Sequence, residues 1–196
     1  MGYTIPAAYP ILTFITPAIW ETDIVDNIIY LKSAISAQFV LTSGMWMSVT
    51  DGATPPTTTE MSGNKNNIFG IEFPKDVKKF AECAFPMPSD YAGGTITAKF
   101  YWCANSPSTD AVTWGIAAVA FGDGEDRDAA FGTAKEVSDA NSGAYHCQIS
   151  AATAAVTIAG TPVAGELVNW RVYRDGADAL AVSALLEAVV ITYTRT

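Results

Sequence analysis

The stretch WRVYRDGADALAVSALLEAVVITYT, Trp170 to Thr194, decides the fold. Its first part continues an alternation in which Val168, Trp170 and Val172 take one face and Asn169, Arg171 and Tyr173 the other. Near its end Val189, Ile191 and Tyr193 alternate in the same way. A period of two belongs to a pleated strand, whose successive side chains point to opposite faces. Both ends therefore predict strands. The middle, Arg174-Asp175-Gly176-Ala177-Asp178, becomes their connection, and its charged residues are expected to pair with one another or cap the turn rather than bind a substrate.

Outward from this stretch the pattern recurs. Thr95 to Cys103 puts Ile96, Ala98, Phe100 and Trp102 on one face and Thr95, Thr97, Lys99 and Tyr101 on the other. Val112 to Phe121 is apolar on both faces, which predicts a central position or a subunit contact. Strands are also expected over Met45–Thr50, Ile68–Phe73, Val77–Phe85, Gly143–Ser150 and Val156–Ile158. Asp51 to Asn67 lacks apolar periodicity and reads as a loop rich in Pro, Thr, Gly and Asn. With no alternation of strand and helix, a parallel sheet is disfavoured. The expectation for residues 45–196 is all-β: a jelly-roll-like antiparallel β-sandwich.

Residues 1–44 differ. Met1 to Thr16 is apolar and broken by Pro6 and Pro10, an extended arm in need of a surface. Next, Ile24, Ile28, Leu31 and Ile35 fall at 4-3-4 spacing and predict one short helix. That helix has two open roles: a coiled-coil seam between chains, too short to hold them alone, or an amphipathic face packed on its own domain. The prolines and the lack of a basic leader argue against a secretory signal, and no apolar run reaches the ~18 residues of a membrane span.

Composition narrows function. The chain has 196 residues, 49% of them hydrophobic and 16% charged, enough to core one main domain and unlike disorder. A formal charge of -9 excludes the counterion-release mode of nucleic-acid binding. Cys83, Cys103 and Cys147 show no CxxC spacing and read as strand thiols made in a reducing cytoplasm. His146 and Cys147, adjacent on a strand, point apart and cannot easily serve as base and nucleophile.

The densest acidic segment runs from Gly122 to Asp128, where Asp123, Glu125, Asp126 and Asp128 are candidates for wrapping a calcium ion. The segment lacks a closing Glu, and a solvated loop is the preferred reading. No nucleophile elbow, phosphate-binding loop or zinc-protease motif occurs, so no catalytic residue and no cofactor is assigned. Trp102, Trp114 and Trp170 are expected in the core, while Tyr101 and Tyr173 are candidates for stacking against a glycan.

One resemblance spans about residues 68 to 196. The run Phe85 to Gly94, then Tyr101-Trp102, Val112-Thr113-Trp114, Phe121 to Asp126, Leu167 to Asp175 and finally Leu185 to Tyr193 resembles a group of small virion proteins of tailed bacteriophages. Ser183 departs from that pattern, in which an acid is common in the final loop. The resemblance implies a non-enzymatic β-sandwich that assembles as a homotrimer on the particle, made in the host cytoplasm. It would be a capsid decoration (cement) protein or short head fibre bound to the major capsid protein or another virion protein. On this reading Ile11, Leu12, Phe14, Ile24, Ile28, Leu31 and Ile35 make the capsid and trimer contacts. The alternative is a tail-fibre or receptor-binding tip that touches host glycan. Neither nucleic acid nor membrane is an expected partner.

Overall fold

The computed structural model describes residues 36–49 and 56–196. The arm and helix, with Ile11, Leu12, Phe14, Ile24, Ile28, Leu31 and Ile35, lie outside the described residues.

Among the described residues there are eleven strands: β1 (Ser36–Thr42), β2 (Met47–Ser48), β3 (Pro56–Glu60), β4 (Asn67–Phe73), β5 (Lys79–Pro86), β6 (Thr97–Ala104), β7 (Ala111–Phe121), β8 (Lys135–Ala140), β9 (Gln148–Ile149), β10 (Leu167–Arg174) and β11 (Ala184–Thr194). They build two antiparallel sheets, a β-sandwich of jelly-roll type. The first sheet runs β3-β4-β11-β6-β9, with β1 also on β11, and the second runs β2-β5-β10-β7-β8. Along one edge β11 pairs with β4 through Ala184–Leu186 and with β1 through Ala188–Thr194. Its other edge pairs with β6 across a bulge between Leu186 and Ala188.

The inward positions of both sheets form one aromatic core. Trp114 lies at its centre, edge-on to Phe73 at 5.3 Å, stacked on Phe100 at 5.8 Å and tilted against Trp102 at 6.2 Å. A second cluster gathers around Phe39 of β1, which stacks on Phe85 at 5.3 Å and meets Trp170 edge-on at 5.6 Å. Trp102, Trp114 and Trp170 are all fully buried, as the sequence predicts. Two of the three indoles also find acceptors. Trp102 Nε1–H donates across the sandwich to Asp139 of β8 at 2.8 Å, and Trp170 Nε1–H to the Phe85 carbonyl at 3.1 Å. Burying each such side chain contributes about 1.5–3 kcal/mol, which is why the alternation that sets the faces also sets the fold.

Three strands depart from the sequence reading. Ser36–Thr42, placed with the arm and helix, belongs to the first sheet, so the sandwich begins before Met45. The only helical piece among the described residues is the 3-10 turn Ser43–Met45. Pro56–Glu60 pairs with β4 at a sheet edge, inside the stretch read as loop. Lys135–Ala140 is the edge strand beside β7. Conversely, Val156–Ile158 contributes an isolated bridge, Ile96 to Val156, and Gly143–Ser150 shortens to Gln148–Ile149.

Candidate functional site

The opening stretch places β10 in the second sheet and β11 in the first, so its middle crosses from one layer to the other. Gly176 makes the crossing feasible, because a Cβ there would lie 2.7 Å from backbone atoms of Val77 and Lys78. Arg174, at the end of β10, points into the core and is fully buried. Its guanidinium grips the Asp178 carboxylate through Nε at 2.8 Å and Nη2 at 2.7 Å. The remaining N–H groups donate to the carbonyls of Phe73 at 3.3 Å, Val182 at 2.6 Å and Leu180 at 2.5 Å. Asp178 in turn accepts from the backbone N–H of Thr113 at 3.1 Å and of Leu180 at 3.2 Å. Every donor of the fork is used, which is the condition for tolerating a charge in a core. The cluster is a buried rivet between sheets with no hydrogen-bonding capacity to spare for a ligand.

The acidic loop lies elsewhere, between β7 and β8. Its carboxylates serve their own turns: Glu125 accepts from Gly122 N–H at 2.8 Å, and Asp126 from Asp128 N–H at 2.9 Å. Asp123, Glu125, Asp126 and Asp128 are all exposed. Among the described residues no three His, Cys, Asp or Glu side chains come together to hold a metal ion. Beside this loop, Phe121, Gly122, Asp123, Glu125 and Arg127 face Gly165 and Glu166 across an open cleft of about 610 Å³. Glu166, on the far wall, is engaged with Val163 N–H at 2.9 Å.

From the cleft the loop folds back over the outer face of the second sheet. Arg127 lies 4.4 Å above the Phe121 ring and donates to Asn169 at 2.9 Å. Further along, Phe131 stacks on the Arg171 guanidinium at 3.8 Å, and Arg171 pairs through Nε with Glu82 at 2.6 Å. Next to them Tyr173 rests on Gly115, donates its hydroxyl to Glu136 at 2.7 Å and carries Lys78 over its ring at 4.1 Å. Burial, then the Glu136 carboxylate, pushes the Tyr173 phenol well above the ordinary tyrosine range. The stack pins the loop to the sheet, so Phe131→Ala is expected to accelerate proteolytic nicking between Gly122 and Gly132 several-fold while leaving the unfolding free energy within about 1 kcal/mol of wild type. Peptide mapping after limited digestion checks this.

Tyr101 sits on the opposite side of the molecule. It is half-buried on the outer face of the first sheet, between Ala188 and Ile149, and the next row on that face is Val40, Val190 and Lys99. Val40 on β1 and Ile149 on β9 are 48% and 52% exposed on this face, separated by Val190 and Lys99. The two tyrosines singled out for glycan stacking are therefore on different faces, and Tyr173 is buried at 6% exposure. They do not form one platform. What the sequence reading missed is the role of Arg171, of Phe131, and of Phe80, which meets the Tyr173 ring edge-on at 5.5 Å. Arg171 and Phe80 were legible as outward positions of alternating strands, whereas nothing in the loop sequence brings Phe131 over them.

No protein-family model matches the chain, and no curated protein matches it. Solved structures align with most of the chain at low identity. A cycloisomaltooligosaccharide glucanotransferase from Paenibacillus sp. aligns at 10% identity with a TM-score of 0.46, over 81% of this chain and 18% of that one. The family 11 carbohydrate-binding module from Clostridium thermocellum aligns at 12% identity and 0.45, over 81% and 96%. The C-terminal CBM6 of a marine laminarinase from Zobellia galactanivorans aligns at 9% and 0.43, over 80% and 99%. The chain thus spans less than a fifth of the Paenibacillus enzyme and nearly the whole of the two modules.

Proposed function

We propose that the protein is a non-catalytic structural component of a bacteriophage particle, a capsid decoration protein or short head fibre that attaches as a trimer. One observation carries the reading: the residues that resemble small virion proteins are spent on the frame and contact one another. Asp90 accepts from the Tyr193 hydroxyl at 2.7 Å, the Phe85 carbonyl accepts from the Trp170 indole at 3.1 Å, and Arg174 holds the sheets together. A shared pattern of this kind specifies a scaffold rather than an active site. The outer face of the first sheet exposes Val40 and Ile149, residues suited to assembly. Sedimentation of the purified chain should give a trimer, and binding to emptied capsids should be lost when residues 1–20 are removed. A full-length monomer that ignores capsids overturns the proposal.

A second reading, a fibre tip that contacts host glycan, is favoured by the open cleft. There Asp123, Glu125 and Arg127 offer donors and acceptors beside Phe121, a mixture suited to a polyol. Under that reading immunogold label falls at the tail tip, and Arg127→Ala abolishes binding to host surface polysaccharide. Label on the head alone excludes it.

A further inference from the structure

Two of the three cysteines face each other across strands. The ladder between β6 and β9 pairs Tyr101 with Ile149 and Trp102 with Gln148. Continuing that register by one residue sets Cys103 opposite Cys147. The chain stays against β6 beyond this point, because Tyr145 N–H donates to the Ala104 carbonyl at 2.7 Å. On the other side Ser150 N–H donates to the Phe100 carbonyl at 3.0 Å. Hydrogen-bonded and non-hydrogen-bonded pairs alternate in an antiparallel ladder, so Cys103 and Cys147 occupy a non-hydrogen-bonded pair, where side chains approach most closely. Cα atoms of such a pair lie about 4.5 Å apart, at the short end of the span of about 4.4–6.8 Å that a disulfide bridges.

The two thiols differ in a useful way. Cys147 is exposed, whereas Cys103 is buried at 1%. Burial pushes the Cys103 thiol up to about 12, helped by the Glu187 carboxylate to which it donates and by the nearby Cys147. Cys83 lies on the inward face of β5, in the other sheet, and serves as an internal control.

We propose that Cys103 and Cys147 form a redox pair that closes a cross-strand disulfide, fastening β9 and the turn before it to β6 when the protein meets a disulfide oxidant such as oxidised glutathione. The exposed Cys147, as thiolate, attacks one sulfur of the oxidant and releases one glutathione thiolate, leaving a mixed disulfide. Cys103 then passes its proton to the Glu187 carboxylate, attacks the Cys147 sulfur and expels the second glutathione. The protein loses two protons and two electrons, and the oxidant is reduced to two thiols. Because Cys103 holds its proton tightly, the second step is the slower one and the mixed disulfide accumulates first.

The experiment incubates the full-length protein with oxidised glutathione at pH 8, quenches it with acid, and follows intact mass, titratable thiols and non-reducing peptide maps. Wild type should pass through a glutathione adduct and end with one free thiol, Cys83, and a linked peptide joining Cys103 to Cys147. Cys147→Ser should keep both remaining thiols free, and Cys103→Ser should stop at the adduct. A wild-type protein that also stops at the adduct, retains all three thiols or links Cys83 overturns the proposal. Disulfide-linked dimers through Cys147 overturn it equally.

Discussion

Arg174→Met is expected to lower the unfolding free energy by about 3–5 kcal/mol, seen as a large fall in the urea midpoint with the slope unchanged. The arithmetic lies in what is left behind. Methionine matches the apolar stem of arginine but strands the Asp178 carboxylate, 1% exposed, in the core with only two backbone donors. It also releases the carbonyls of Phe73, Leu180 and Val182, each of which then lacks its guanidinium partner. Asp178→Leu should cost a comparable amount by leaving the guanidinium unpaired. In the double variant, Arg174→Met with Asp178→Leu, the loss should fall well short of the sum, because no uncompensated charge remains. Additive losses would show that the two side chains act independently of their ion pair.

Gly115→Ala is the second large effect. An added Cβ would lie 2.1 Å from Cζ of Tyr173, well inside contact distance, so the ring must leave its seat. Overpacking of this kind costs about 1–3 kcal/mol, and the displaced hydroxyl gives up its bond to Glu136, about 1 kcal/mol more. A second readout separates ring displacement from general loosening. Burial and Glu136 hold the wild-type phenol above its ordinary pKa of about 10. The folded-state value is therefore higher than the unfolded one. The contribution to stability is complete below about pH 10 and is lost as pH rises through the folded value. In Gly115→Ala the Tyr173 phenol should titrate closer to the ordinary value, and the alkaline loss of stability should shrink. An unchanged titration curve would mean that the ring had stayed in place.

These two sites show where sequence reading succeeds and where it stops. The alternation around Arg174 identified both strands and the connection, and even the pairing of Arg174 with its acidic neighbours, because local period and turn chemistry act within a few residues. That the connection crosses between sheets was not visible, since it depends on which distant strands flank β10 and β11. The edge strands were missed for a related reason. Lys135–Ala140 carries one large apolar residue, Val137, and its inward Asp139 accepts from the Trp102 indole of the facing sheet. Ser36–Thr42 did carry a signal, with Ala37, Phe39 and Leu41 at alternate positions, but it followed directly on a helical spacing that ended at Ile35. The cleft between the Gly122–Arg127 and Ala164–Glu166 loops joins segments about forty residues apart, and no local pattern announces it.

The central place of β11 has a consequence for how the molecule forms. It is the partner of β1, β4 and β6, and its pairing with β1 joins Ser36 to Thr194. Strands so far apart in the chain must lose a great deal of loop freedom before any of their contacts repays it. Among the described residues only the β3–β4 hairpin pairs strands close in the chain, so the rest of the first sheet cannot grow strand by strand from local contacts. It should assemble late and in one step, with slow refolding whose rate is set by the search that brings β11 between its neighbours.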